Sequence, residues 1–343
     1  MKRQLCSTIL MFLIHAISTR LSAQELKPTI LFSSQQPLSI RLDVSLGKVR
    51  KHTDDSTFIS LLVHYKTHEG LWDSIPSSVR TRGHFRKKHC FFPPLRIKFK
   101  KKNTDGTVFE GTKSLKLVMP CQSFKTSNDL ILKELLCYQL YEAASPYVFR
   151  TRLVDITLND QDKSVKTYQL QGIFIEDDDA AAKRYNAKVF EHPKFDPLQF
   201  QDTSSLRLDF FQYMIGNTDF STTFLHNIKA IQTRSGRFIP IAYDFDMSGV
   251  VNAPYATFDE KLGIKSVRER YYKGYCRDDK VAQAVREDYI NREQSIIAVI
   301  GAFDKFFEPK EIEGLKKYLN EFFVTIKNDR AYHERLIGKC RSK

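Results

Sequence analysis

The chain has 343 residues, enough to bury a large core in one bilobal unit or in two domains. Hydrophobic residues make up 42% of it and charged residues 27%, which excludes a disordered or fibrous chain. A formal net charge of +14 describes a basic, solvated surface, and it is also compatible with attraction to an anionic surface or a phosphorylated ligand.

Residues 1–23 read as a targeting segment. Lys2 and Arg3 precede the apolar run CSTILMFLIHAIS, too short for a membrane span, and Leu21-Ser22-Ala23 resembles a cleavage site. The expectation is a secretory signal peptide and an exported chain, periplasmic or extracellular, with no transmembrane segment after it. Cys6 leaves with that segment. Cys90, Cys121, Cys137, Cys276 and Cys340 remain, an odd number that leaves a free thiol or an intermolecular bond. Cys90 and Cys121 sit at the edges of expected strands in the same half, and a bridge between them is expected. No CxxC pair signals a zinc site.

LSIRLDVSL (38–46) alternates apolar and polar residues as a half-buried strand does, and FISLLVHY (58–65) follows as a second strand. The stretch from Trp72 to Ser78, with Pro76, reads as a turn-rich connection. A strand through Val79 and Arg82, a turn at Gly83 and a returning strand Leu95–Phe99 come next, then a hairpin turn at Asn103-Thr104-Asp105-Gly106 and a short strand over 114–120. From Asn128 the period changes: Leu130, Ile131, Leu135, Leu136, Tyr138 and Leu140 predict a helix with Glu134 in its middle, capped by Asn128 or Asp129. Strands are predicted over 147–159 and 167–177, joined by a polar turn at Asn159-Asp160, and end in Glu176-Asp177-Asp178-Asp179.

The irregular stretch 180–203 marks a boundary. Leu206, Phe210, Tyr213 and Met214 then lie on one helical face, and 291–303 and 309–328 have amphipathic periods, the latter beginning at Pro309. The expected organisation is α+β: a strand-rich N-lobe over 24–178 and a mainly helical C-lobe over 179–343.

One stretch, Tyr213 to Gly249, concentrates the chemistry. Asp219 precedes Asn227, which opens the strand HNIKAIQT; Arg234-Ser235-Gly236-Arg237 turns the chain; FIPIAYDF returns it to Asp244 and Asp246. The two ends of an antiparallel hairpin are neighbours, so Asn227 and Asp244 can share one hard cation through oxygen ligands. Asp219 would face the nucleophile, and Asp246 is placed by the period of two on the side of Asp244. Any one of these acids alone would cap a turn; the joint pattern points to a metal or phosphate site. His226 is a weaker candidate. The runs Arg86-Lys87-Lys88 and Lys100-Lys101-Lys102 read as solvated charge, and without an aromatic stacking array they do not favour nucleic acid as a partner.

Three segments resemble the CotH (spore-coat protein H) kinase family: VRTRGHFRKKHCFFPPLRIKF, YQLQGIFIEDDD, and IGNTDFSTTFLHNIKAI with IPIAYDFDMSG, together spanning about 79–250. The flanks resemble exported Bacteroidetes-type relatives. The resemblance implies a bilobal, atypical protein-kinase-like fold using ATP and Mg²⁺. It implies that Asp219 orients the acceptor hydroxyl and that Asn227 and Asp244 bind metal, with Asp246 an alternative or second ligand. Lys98 would contact nucleotide phosphates, with Lys100 on the same strand face as an alternative. Glu134 would be the partner of that lysine, Arg80 and Arg82 would meet phosphates, and Ile175 and Glu176 would lie near the adenine. The expected partners are a nucleotide and a protein substrate. The alternatives are a catalytically degenerate binding or surface protein and, below it, a metal-dependent phosphoester hydrolase.

Overall fold

The computed structural model describes residues 28–83, 85–124, 126–162 and 166–342; the expected signal peptide over 1–23 lies outside the described residues. β1 (Leu38–Val44) alternates strictly, with Leu38, Ile40, Leu42 and Val44 buried. After a short helix α1 (Leu46–His52) come β2 (Ile59–Lys66) and β3 (Trp72–Thr81). Helix α2 (Phe85–His89) leads to β4 (Leu95–Phe99), and the helical turn α3 (Lys101–Thr104) to β5 (Ser114–Val118). The long helix α4 (Ser127–Ala144) precedes β6 (Thr151–Asp160) and β7 (Lys166–Glu176).

These seven strands form a closed barrel in the order β1-β2-β3-β4-β5-β7-β6. Neighbours pair antiparallel except at the closure, where β1 runs parallel to β6 from Leu38↔Val154 to Val44↔Asp160. Closure removes both sheet edges. The interior takes alternate residues: Ile40, Leu42, Val79, Ile97, Leu117, Ile156, Leu158 and Phe174 are buried there. Phe109, on the connection before β5, fills the barrel with no exposure, its ring 5.2 Å from Tyr65, 4.8 Å from Phe99 and 6.3 Å from Phe174.

The outward residues of the last strands serve a second core. Val118, Leu153, Ile173 and Ile175 pack with α4 and with the following elements. Those are α5 (Asp178–Arg184), the three-stranded sheet of β8 (Ala187–Phe190), β9 (Ile228–Thr233) and β10 (Phe238–Ala242), and α6 (Asp202–Met214). Helices α7 (Asp279–Asn291), α8 (Glu293–Ala298), α9 (Pro309–Lys327) and α10 (Asp329–Arg335) complete the chain. Among the described residues no helix is long and apolar enough to cross a membrane.

This architecture corrects the expected bilobal, kinase-like fold. The strands of the first half close into a seven-stranded mixed barrel, and a separate three-stranded sheet and ten α-helices accompany it among the described residues. Closure follows from β1 finding a parallel partner in β6, a pairing of distant segments. Several local expectations also change. The stretch 180–203, expected to be irregular, carries most of α5, all of β8 and the start of α6. Trp72–Ser78 is strand: Pro76 pairs with Leu62 on one side, while β4 begins its pairing only at Ser77, so no ladder bond toward β4 is asked of the proline nitrogen. Asn103 and Thr104 belong to α3, and Asp160 still pairs within the β6–β7 ladder. Cys90 and Cys121 are bridged as expected, Cys276 is bridged to Cys340, and Cys137 is a buried free thiol.

The Phe109 plug gives a test of the barrel core. Phe109→Ala should lower stability by ~3–5 kcal/mol, read as a lower urea midpoint at unchanged slope. A loss below about 1 kcal/mol would show that the ring is not the filling of the barrel.

Candidate functional site

The chain leaves α6 through Gly216, whose φ of +65° favours glycine; a Cβ there would clash with the Tyr318 hydroxyl oxygen. Gly249 meets the same hydroxyl, and its N–H donates to the Gly216 carbonyl at 3.1 Å. The segment entering Asp219 and the segment leaving Asp246 are therefore pinned together. Between them, Asn217 Oδ1 accepts the Asp219 N–H at 3.0 Å, and Ser221 and His226 exchange backbone bonds of 3.0 Å each.

The hairpin delivers the remaining groups. Ala242 pairs with Ile228, and the Tyr243 N–H donates to the Asn227 carbonyl at 3.0 Å, so Asn227 and Asp244 stand at one end, as their spacing predicts. Both have left-handed backbone, φ +54° and +63°, where Asn and Asp are the tolerated non-glycine residues. Asn227 Nδ2 donates to the Asp219 carbonyl at 2.8 Å and to Asp219 Oδ2 at 3.0 Å, which leaves the amide oxygen as its available ligand. His226 Nε2 lies 3.2 Å from Asp219 Oδ1, and this hydrogen bond raises the imidazole pKa against the lowering effect of burial.

Helix α4 is the platform beneath. Glu134, Cys137, Tyr138 and Tyr141 recur at spacings of three and four and face the 244–248 segment. The Tyr138 hydroxyl accepts the Asp244 N–H at 2.9 Å, its ring lies 4.7 Å from Phe245, and Cys137 Sγ is 3.7 Å from Ser248 Oγ. Glu134 does not meet Lys98. Its Oε2 accepts from Arg86 Nη2 at 3.0 Å, while Arg86 Nε donates to Asp246 Oδ2 at 2.9 Å. All three side chains are buried.

Three carboxylates, of Glu134, Asp244 and Asp246, thus crowd one guanidinium. Burial raises the pKa of Glu134, and the charges of Asp244 and Asp246 add to this against the pull of Arg86. Burial likewise raises Asp246, opposed by Arg86 and reinforced by Asp244. Glu134 Oε1 is buried without a hydrogen-bond partner. An excess of buried oxygen ligands with one orphaned atom fits a hard divalent cation. Among the described residues no three His, Cys, Asp or Glu side chains form a group that could hold a metal ion. Mg²⁺ characteristically uses one or two carboxylates and completes its shell with water and substrate phosphates.

Lys98 is placed elsewhere. It is exposed on the outer face of β4 with its ammonium 4.1 Å from the Phe58 ring centroid. Its outward-facing counterpart on β5, Lys116, is buried, ion-paired to Asp178, and lies 4.8 Å from the Phe149 ring and 5.1 Å from that of Tyr243. Lys229 reaches the same Asp178 at 3.5 Å. Burial lowers Lys116 to about 8; Asp178 opposes this, and the nearby Arg82 and Lys229 assist it. The charge of Arg82 is felt at Lys116, and Arg80 pairs with Asp55. Glu176 is committed to structure: it is salt-bridged to Arg184 at 2.8 Å and accepts the Arg150 N–H at 3.1 Å.

The structure thus gathers Asp219, Asn227, Asp244, Asp246, Glu134 and Arg82, and sets Lys98 and Glu176 apart from them. The sequence reading missed Lys116, Lys229, Asp178, Tyr138 and Arg86. Lys116 had a signal, as the one charge inside the apolar strand SLKLV. Arg86 had none, because it sits in a basic run that reads as solvated. No known family model matches the chain, and no curated protein matches it.

Removing Arg86 leaves two buried acids without their shared partner. Arg86→Met should cost roughly 3–5 kcal/mol in urea unfolding, and adding Glu134→Leu should recover part of that loss. Additive losses from the two substitutions would show that the groups are not coupled.

Proposed function

We propose that the chain is an exported, metal-dependent phosphotransferase that moves a phosphoryl group from ATP to a protein hydroxyl. The observation that carries this reading is the convergence of two oppositely charged groups of side chains. Asp219, Asn227, Asp244 and Asp246 form an acidic end of the hairpin. Arg82, Lys116 and Lys229 form a basic group around Asp178. The likeness of IGNTDFSTTFLHNIKAI and YDFDMSG to the paired acidic motifs of the CotH family supports the same assignment. Two disulfides are compatible with an oxidising compartment.

Each side chain then has a role. The Asp219 carboxylate accepts the proton of the acceptor hydroxyl as its oxygen bonds to the γ-phosphorus and the bond to the ADP oxygen breaks. Asn227 Oδ1, Asp244 and Asp246 would hold Mg²⁺, which would supply charge neutralisation for a phosphoryl group. Lys116 takes the phosphate-binding role expected of Lys98, with Arg82 beside it. The Phe149 and Tyr243 rings keep the Lys116 ammonium dry, where its charge acts more strongly.

A second reading, a binding protein without turnover, is favoured by one observation: Asp246 is already engaged by Arg86.

A thermal-shift measurement separates these readings. Mg²⁺ with ATP at about one hundred times its Kd should stabilise the parent by about 2.7 kcal/mol. Asp244→Ala and Lys116→Ala should lose the shift, and Lys98→Ala should keep it. Asp219→Asn should keep the shift while turnover falls by roughly 10²–10⁴. Absence of any shift in the parent would overturn the phosphotransferase reading, and a shift without transfer would favour the binding protein.

A further inference from the structure

Asp219 stands on a loop without regular secondary structure, so something outside that loop has to fix it. Lys273, from a segment more distant in sequence, does so in an uncommon way. Its ammonium donates to the Thr218 carbonyl and to the Phe220 carbonyl, each at 2.7 Å. These are the two carbonyls on either side of Asp219. An ammonium with three donors and no acceptor suits a bracket of two backbone oxygens. The stem is half-buried, with the ammonium 4.9 Å from the Phe220 ring centroid. From the same segment, Tyr275 Oη lies 3.1 Å from Thr223 Oγ1, a second contact with the loop.

The Lys273 segment is itself held by the end of the chain. The Arg341 guanidinium donates to the Lys273 carbonyl. Its backbone N–H donates to the Gly274 carbonyl at 2.9 Å, and its carbonyl accepts the Cys276 N–H at 2.9 Å. The guanidinium also stacks on Tyr275, 4.2 Å from the ring centroid. The Cys276–Cys340 disulfide crosses this clasp and joins residues 64 apart in sequence. Cys276 is exposed, so the bridge is open to exchange.

We propose that Lys273 is the positioning residue of the Asp219 loop, and that the C-terminal tail locks it there once Cys276 and Cys340 are oxidised. The locking step is thiol–disulfide exchange with an oxidising protein disulfide. Two thiols of this chain give up two electrons and two protons and join as a disulfide, and the oxidant's disulfide is reduced to two thiols. The loop carrying the acid is therefore completed only in a compartment that supplies such an oxidant. The functional consequence rests on the reading of Asp219 as proton acceptor; the mechanical one does not.

Hydrogen exchange of the full mature chain tests the clasp without relying on turnover. Lys273→Met and Cys340→Ser should each speed exchange of the Asp219, Ser221 and His226 amides about tenfold or more, with β6 amides unchanged. Lys273→Arg should restore protection. Mild dithiol reduction of the folded parent, compared with Cys340→Ser, gives the same readout without a core substitution. Where the parent transfers phosphate, Lys273→Met should lower kcat with KM for ATP unchanged. Unchanged loop exchange in both Lys273→Met and the reduced parent would overturn the proposal. A parent with a protected loop but no transfer would leave the clasp standing and remove the phosphotransferase reading.

Discussion

One buried guanidinium ties the molecule together. Arg86 comes from the short helix after β3, Glu134 from α4, and Asp246 from the segment beyond the second hairpin strand, 48 and 160 residues away in sequence. An arginine remains charged at any ordinary pH and cannot be buried alone. Its two acids therefore fix where α2, α4 and the segment after β10 meet. The end of α2 is secured as well: Cys90 is bridged to Cys121, and Arg50 donates to the Cys90 carbonyl at 2.8 Å. The acidic cluster is consequently part of the packing between the barrel and the second core, with buried neighbours on the α4 side.

That placement sets the electrostatics. In one group, Glu134, Asp244 and Asp246 outnumber Arg86; in the other, Arg82, Lys116 and the hairpin's Lys229 outnumber Asp178. Each group is unbalanced in the direction that the other would correct. Low-dielectric walls from Phe149, Tyr243 and Phe245 keep the two from being screened. A ligand with both a cation and phosphate oxygens would satisfy both sides together.

What could be read in advance follows the range of the interaction. Asn227 and Asp244 were legible because a hairpin is local and its register brings its two ends together. The alternation of β1 and the amphipathic face of α9 were legible for the same reason. Lys98, with Lys100 as its alternative, was preferred and Lys116 passed over: Lys98 and Lys116 both point out of the barrel, and sequence period gives direction but not what covers that face. Lys116 is covered by Phe149 and Tyr243, and Lys98 lies exposed over the Phe58 ring. Nor did any local pattern announce that β1 would pair with β6, so a strand-rich lobe was expected without its closure into a barrel. Arg86 was hidden by its neighbours Lys87 and Lys88, because a charge run looks the same whether or not one member turns inward.

The parallel closure of the barrel also has a kinetic side. β1 to β5 can each join a sequence neighbour, but the second side of β1 has no partner until the chain through Asp160 is available. Until then the strands made so far form an open sheet with bare edges at β1 and β5, and closing it joins distant segments, the slow kind of contact. A chain that emerges from its N-terminus thus spends its early life with two sticky edges exposed. Any system that handles it before β6 and β7 arrive has to shield those edges or keep the chain extended.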